Sequence, residues 1–495
     1  MSELARASGV LAVAGLALLL VATRRELRLL GLGAWAAGML GLASYLAPTT
    51  SNTKLAVAAV GGAVVAAAGA ALLLRFPWLL AFATVACIPA RIPVTLGHED
   101  AKLLVPLYGV VGAYAVGLAW QLLRGDDRSR ELGPLTWPLA AFVLWTGATL
   151  LWTNDLRKGA IFLGAFILPF ALLAFGFARL PWRRTNVRWL WAAVAATALT
   201  YAAIGAYQWA TRDIFWNPSV IVANAYAPFF RVNSVFWDPS IYGRYLVVAI
   251  LATLPAILLG GVYGWRLAGL YAVVVGAWCG LFLSFSQSSF VALSAGIVAA
   301  AAVALGRRAV LGLAAVVLVV GLLSLAVPTV RHDLVGRGHS KINRITGGRA
   351  NLVTEGFHIA ADHPVAGIGV GGFRKAYAER KGVKGRNPKR VASHTTPVTV
   401  AAEEGVIGVA LYGWLLMAAV VATLVARRRS RVAFAAGLVL VAVAVQSLFY
   451  NAFFEDPITW AAFGLVGLVA SLPATAPEEM AEVEERPELQ GVVAH

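Results

Sequence analysis

Apolar stretches of about 17 to 25 residues recur almost from end to end of this chain, each long enough to cross a hydrocarbon core of roughly 30 Å. Backbone amides and carbonyls in lipid must be satisfied within the segment itself, so such stretches form helices. A membrane barrel would instead show short alternating strands. The composition agrees: 60% of the 495 residues are hydrophobic, 13% are charged, and the mean hydropathy is +0.76. A soluble domain carries nearer a quarter of charged residues. The expected fold class is all-α, a polytopic transmembrane bundle of about 12–15 helices.

The expected spans lie near 7–23, 29–47, 54–74, 77–91, 102–123, 135–151, 157–179, 189–211, 239–262, 266–284, 287–306, 309–327, 397–426, 432–448 and 457–472. The fourth is short and interrupted by Pro89, which suits a re-entrant segment. The first apolar run lacks a convincing small-residue cleavage site and reads as a retained helix. Alternate connections carry arginines, among them Arg24, Arg25, Arg28, Arg124, Arg128, Arg130, Arg179, Arg183, Arg266 and Arg427. Positive charge in short loops marks the cytoplasmic side. The formal charge of +17 therefore points to topology and anionic headgroups rather than nucleic acid. Four regions follow: helices over 1–327, a large extracytoplasmic loop over 328–396, further helices over 397–472, and a disordered cytoplasmic tail over 473–495.

No phosphate-loop signature and no zinc-protease motif occurs, so ATP-driven transport and zinc proteolysis have no sequence support. Cys87 and Cys279 sit far apart in apolar segments and read as core residues. His332, His339, His358 and His363 have no metal-site spacing. Lys381 to Arg390 reads as a solvated basic segment.

Three constellations carry chemistry. In the first, Asp238 and Pro239 open a helix as cap and first residue, with Arg231 in the loop before it. Arg244 and Tyr242 then fall inside that helix, at a depth where arginine needs a partner, such as Asp238, or an aqueous face. A guanidinium makes two parallel hydrogen bonds to phosphate, which suits a diphosphate clamp. In the second, Arg349 opens an amphipathic helix that Pro364 stops, and a glycine-rich turn follows. A cation at a helix N-terminus opposes the dipole, a mismatch that a bound phosphate would resolve. In the third, His394 precedes a helix capped by Thr396 and opened by Pro397, with Glu403 and Glu404 about two turns on. The adjacent dipole favours neutral imidazole, the form that accepts a proton from a hydroxyl nucleophile. Glu403 and Glu404 are candidates to orient His394 or hold Arg244, or they mark the membrane interface. Serines 284, 286, 288 and 289, and the Tyr450, Asn451, Glu455 and Asp456 group, read as packing or interface polarity.

Taken in order, these elements resemble the O-antigen ligase and O-antigen polymerase superfamily of bacterial envelope glycosyltransferases. The resemblance rests on Leu151 to Asp155, Arg231 with Phe236 to Pro239, Gly348-Arg349 with Asp362 to Gly369 and Phe373, and His394 with Glu404 to Gly408. It departs where the family often has asparagine after the histidine, here Thr395, and arginine after the hairpin serine, here Ser289. The resemblance implies a GT-C-like fold in the inner membrane, with the active site on the extracytoplasmic face. It implies an undecaprenyl-diphosphate-linked glycan donor and a glycan or lipid-linked acceptor, with no cofactor and no required metal. Arg231 and Arg349 would bind the diphosphate, His394 would activate the acceptor, and Asp238, Tyr242, Arg244, Glu403 and Glu404 would support the substrates. Ligase and polymerase activities both fit, as would protein acceptors. A flippase for lipid-linked saccharide and a non-catalytic assembly factor are the alternative readings.

Overall fold

In the computed structural model the described residues are 2–47, 52–96, 99–226, 229–304, 306, 308, 312, 349–382, 393–426 and 430–472. The expected span at 309–327, His332 and His339, most of the basic segment after Lys381, and the tail from 473 lie outside them.

Among the described residues, ten helices are long and apolar enough to cross a membrane, and three shorter apolar helices accompany them. The chain is an all-α multi-pass membrane protein. The first half comprises α1 (Ser2–Val21), α2 (Arg25–Leu46), α3 (Asn52–Arg75), α4 (Leu79–Cys87), α5 (Val105–Leu123), α6 (Thr136–Ala148), α7 (Leu156–Phe162), α8 (Leu168–Ala178) and α9 (Arg184–Thr211). α10 (Pro218–Tyr226), α11 (Pro239–Leu258), α12 (Gly264–Ser284) and α13 (Gln287–Ala304) follow. The large loop holds α14 (Arg349–Asp362) and α15 (Phe373–Arg380), and α16 (Thr396–Ala426), α17 (Arg431–Gln446) and α18 (Pro457–Ser471) follow. The fourth expected span ends at Cys87, before Pro89. An antiparallel hairpin the sequence reading did not anticipate then forms, β1 (Ile92–Leu96) with β2 (Glu99–Leu103).

The pattern of burial follows from composition. α8 carries no polar side chain and every one of its residues is buried, so it takes the centre of the bundle. α7 and α8 are joined by a π-helical turn, Leu163–Ile167, and together span 23 residues. At ~1.5 Å per residue they run roughly 34 Å, from one face of the bundle to the other. Small residues let α1 and α2 pack backbone to backbone: a Cβ on Gly15 would stand 2.4 Å from the Trp35 amide nitrogen.

The face that holds the large loop is organised by a break in α16. Gly405 has φ 68° and ψ −165°, a conformation essentially reserved to glycine. Into that break the glycine-rich turn 364–372 is hydrogen-bonded like a short strand. Ile368 N donates to Ala402 O at 3.0 Å, Gly369 N to Glu403 O at 2.9 Å, and Val406 N to Pro364 O at 2.8 Å. On its other side the turn rests on the α6–α7 junction. Thr153 Oγ1 donates to Val370 O at 2.8 Å, and Val370 N donates to Thr149 Oγ1 at 3.0 Å. A Cβ on Gly369 would lie 2.3 Å from Thr153 Cα, so the two backbones touch.

Candidate active site

Arg231, Asp238, Arg349 and His394 come from three separate stretches of chain, and the fold brings them within electrostatic reach of one another. Each is held by a local device. Asn224 of α10 grips the Arg231 backbone from both sides, accepting from its N–H at 3.0 Å and donating to its carbonyl at 2.9 Å. Arg231 Nε donates to Ser284 O at 3.2 Å, which leaves the two terminal nitrogens without a hydrogen-bond partner among the described residues. Asp238 caps α11 as expected, its Oδ1 accepting from Ser240 N at 2.7 Å. Arg349 is the first residue of α14 and is exposed.

His394 is half-buried, with left-handed φ of 59°. The residues after it fix that geometry. Thr396 N donates to Ser447 O at 2.8 Å, and the Thr396 hydroxyl donates to Asn451 Oδ1 at 3.1 Å. The sequence reading gave Thr396 the role of helix cap. Its hydroxyl is instead spent on Asn451, because α16 is anchored to the 447–451 turn.

Electrostatics favour an anion here. Burial lowers the Arg231 pKa, and the Arg349 charge lowers it further, with Asp238 opposing both. Two guanidiniums thus face one carboxylate. Burial, and then Arg349, also lower the His394 pKa, again against Asp238. His394 is therefore neutral at pH 7, held so first by burial rather than by the helix dipole. Tyr450 borders the same group; burial, and then Asp238, raise its phenol pKa.

The supporting residues differ from expectation. Arg244 is 1% exposed and ion-paired with Asp456, not Asp238, at 2.6 Å. Its Nε donates to Gln446 Oε1 at 2.6 Å, and the Tyr450 ring lies 5.6 Å from its Cζ. Gln446 Nε2 in turn donates to Ser289 Oγ at 3.0 Å, and Ser286 and Ser289 hydroxyls are 2.8 Å apart. The serines and Asp456 thus form one buried network beneath the site, and Arg244 positions its floor. Tyr242 is fully buried, wedged against α9 and α12, with its hydroxyl donating to Tyr201 O at 3.2 Å. That placement makes it a packing residue rather than a substrate contact.

Glu403 and Glu404 are likewise engaged away from His394 and Arg244. The Glu403 carboxylate accepts from Gly371 N at 2.9 Å and Phe373 N at 3.1 Å. Glu404 accepts from the Thr146 hydroxyl at 3.0 Å, and Trp145 Nε1 donates to its carbonyl at 3.0 Å. Both carboxylates face backbone and hydroxyl donors of the broken helix and glycine turn, so they hold the loop in place. Arg374 extends this seat, pairing with Asp155 at 3.2 Å and with Glu99 of the hairpin. Lys381 is tied to Glu355 rather than free in solvent. Lys102 of the hairpin stacks over Trp237, 4.8 Å from the ring centre.

Asn224 and Thr149 were not singled out from sequence. Each is a lone polar residue in an apolar run, a signal shared with many helix-packing residues.

Residues 272–413 match the family described as O-Antigen ligase. That segment is similar to the O-antigen ligase family. It runs from α12 into α16 and contains Arg349, His394, Glu403 and Glu404. Arg231, Asp238, Tyr242 and Arg244 lie upstream of it and join the site through the fold. The likeness supports an enzyme activity of the ligase or polymerase type in general. No curated protein matches the chain.

Proposed function

We propose that the chain transfers a glycan from a polyprenyl-diphosphate donor to a sugar hydroxyl on the extracytoplasmic face of the bacterial inner membrane. The observation that supports this reading is the convergence of Arg231, Arg349 and His394 on one patch, with Asp238 the opposing carboxylate among the described residues. A diphosphate supplies the negative charge that two clustered guanidiniums lack, and Arg349 offers it a helix N-terminus as well.

The step balances with these groups alone. The acceptor oxygen attacks the anomeric carbon while the bond from that carbon to the diphosphate oxygen breaks. The bonding pair leaves with the diphosphate, whose growing charge Arg231 and Arg349 stabilise. The hydroxyl proton passes to the imidazole of His394, acting as general base. Asp238 keeps the arginines charged and stabilises the imidazolium that forms.

The test is release of polyprenyl diphosphate by purified protein supplied with a polyprenyl-diphosphate oligosaccharide and candidate acceptors. His394→Ala is expected to lower release by about 10²–10⁴-fold. Arg349→Lys is expected to lose most activity, because an ammonium cannot reproduce the two-pronged contact. A ladder of products identifies a polymerase and a single acceptor-linked product a ligase. Equal release by wild type and His394→Ala would overturn the assignment of the base.

A further inference from the structure

At the opposite end of α8 from the glycine turn lies a second polar group, with Arg28, Arg179 and Glu131 buried and Arg128 half exposed. Arg28, Arg128 and Arg179 meet Asp126 and Glu131 there, three guanidiniums against two carboxylates. Arg28 reaches both Glu131 oxygens, at 2.8 and 2.9 Å, and Arg179 bonds Asp126 at 2.7 Å as well as Glu131. The sequence reading placed these arginines in short loops facing headgroups. Instead Arg28 and Arg179 are 1% and 6% exposed, so the cluster is part of the bundle.

Beside it lies a cavity of about 190 Å³ between α3, α5 and the end of α8. Leu74 and Leu118 line its apolar side; Tyr114, Gln121, Arg128 and Arg179 line its polar side. Two polar atoms on this wall are buried without a partner among the described residues, the Tyr114 hydroxyl and Arg179 Nε. Both are donors. A buried donor left unmade costs about 1–3 kcal/mol, so two on one wall point to an absent acceptor. Arg128 and Arg179 both line the cavity, so an anion is the acceptor that suits this wall. The space equals about six waters at ~30 Å³ each, room for a phosphate and the first atoms of a chain.

We propose that this cavity binds the phosphate of an anionic phospholipid, with its glycerol and upper acyl chain along Leu74 and Leu118. The site lies at the far end of α7 and α8 from the glycine turn, roughly 34 Å along them at ~1.5 Å per residue. Its occupant is thus a bilayer lipid of the other leaflet, tying α3 and α5 to the core helix α8.

The full chain in detergent would be melted with phosphatidylglycerol, with phosphatidylcholine, and with inorganic phosphate. Phosphatidylglycerol near saturation is expected to raise the melting temperature by about 3 °C or more, and the other two much less. Tyr114→Phe keeps the ring and removes one donor; Leu118→Trp fills the apolar side. Both are expected to melt near wild type without lipid and to lose at least half of the increment. Should Leu118→Trp fail to fold, the isosteric Tyr114→Phe carries the test. Equal increments from both lipids, full increments in Tyr114→Phe, or the whole effect from inorganic phosphate alone would each overturn the proposal.

Discussion

Alanine in place of Gly405 should free the glycine turn from α16, and the size of the effect can be worked from the geometry. A Cβ there would lie 2.2 Å from Val365 O and 2.4 Å from Val365 C, both backbone atoms that no rotamer change can move. The φ of 68° with ψ of −165° adds about 1–3 kcal/mol for a residue with a side chain. If the turn lifts away, the bonds from Ile368, Gly369 and Val406 go with it, at about 0.5–1.5 kcal/mol each. The sum is roughly 3–7 kcal/mol against the docked turn. Gly413, further along the same helix, is exposed with nothing within 4 Å of its would-be Cβ, so alanine there should stabilise by up to ~1 kcal/mol. Hydrogen exchange reads both variants. Amides of Ile368, Gly369 and Val406 should exchange at least ~100-fold faster in Gly405→Ala, since 1.4 kcal/mol is tenfold. They should be unchanged or slower in Gly413→Ala. Equal protection of those three amides in the two variants would refute the claim that the turn depends on the break.

Three further outcomes are expected. The lowered His394 pKa means the imidazole is neutral above it, so transfer should hold steady down to below the ordinary histidine value of about 6.5 and fall on further acidification. Arg349→Gln removes a cation that depresses this pKa, so the acid limb of its residual activity should move to higher pH; an unmoved limb between about pH 5 and 8 would separate the two residues. Arg244→Met should destabilise the bundle by about 3–5 kcal/mol, because it strands a buried Asp456. Adding Asp456→Asn should recover part of that loss, since asparagine keeps the oxygen that caps α18; purely additive losses in melting would deny the coupling.

The helices were legible because lipid imposes one rule on every span, and local signals mark their ends. Asp238 with Pro239 opens α11, Arg349 opens α14, and Pro364 follows its end, as periodicity and capping chemistry require. Partner choice was not legible. Asp238 is six residues from Arg244 and was the natural local candidate, yet Asp456 takes the arginine because α18 packs beside the network. The same holds for Glu403, whose bonds to Gly371 and Phe373 depend on where a distant turn docks. The hairpin after α4 escaped detection because Pro93, Glu99, Asp100 and Lys102 break the apolar alternation that marks a strand. The shared reach of His394 and Arg231 to Arg349 and Asp238 is a property of tertiary packing, so sequence offered the residue types without their meeting.

The Arg244–Asp456 pair has a consequence for biogenesis. The two residues are separated by 212 positions. At roughly 5–20 residues per second of synthesis, α11 waits about 10–40 s before its counter-charge leaves the ribosome. Throughout that interval α11 carries an arginine without its counter-charge, a residue that costs up to about 2.5–3.5 kcal/mol in lipid. Retention of α11 beside the translocon until α17 and α18 arrive would spare it the lipid, so a nascent chain arrested before Asp456 is the form most exposed to membrane quality control.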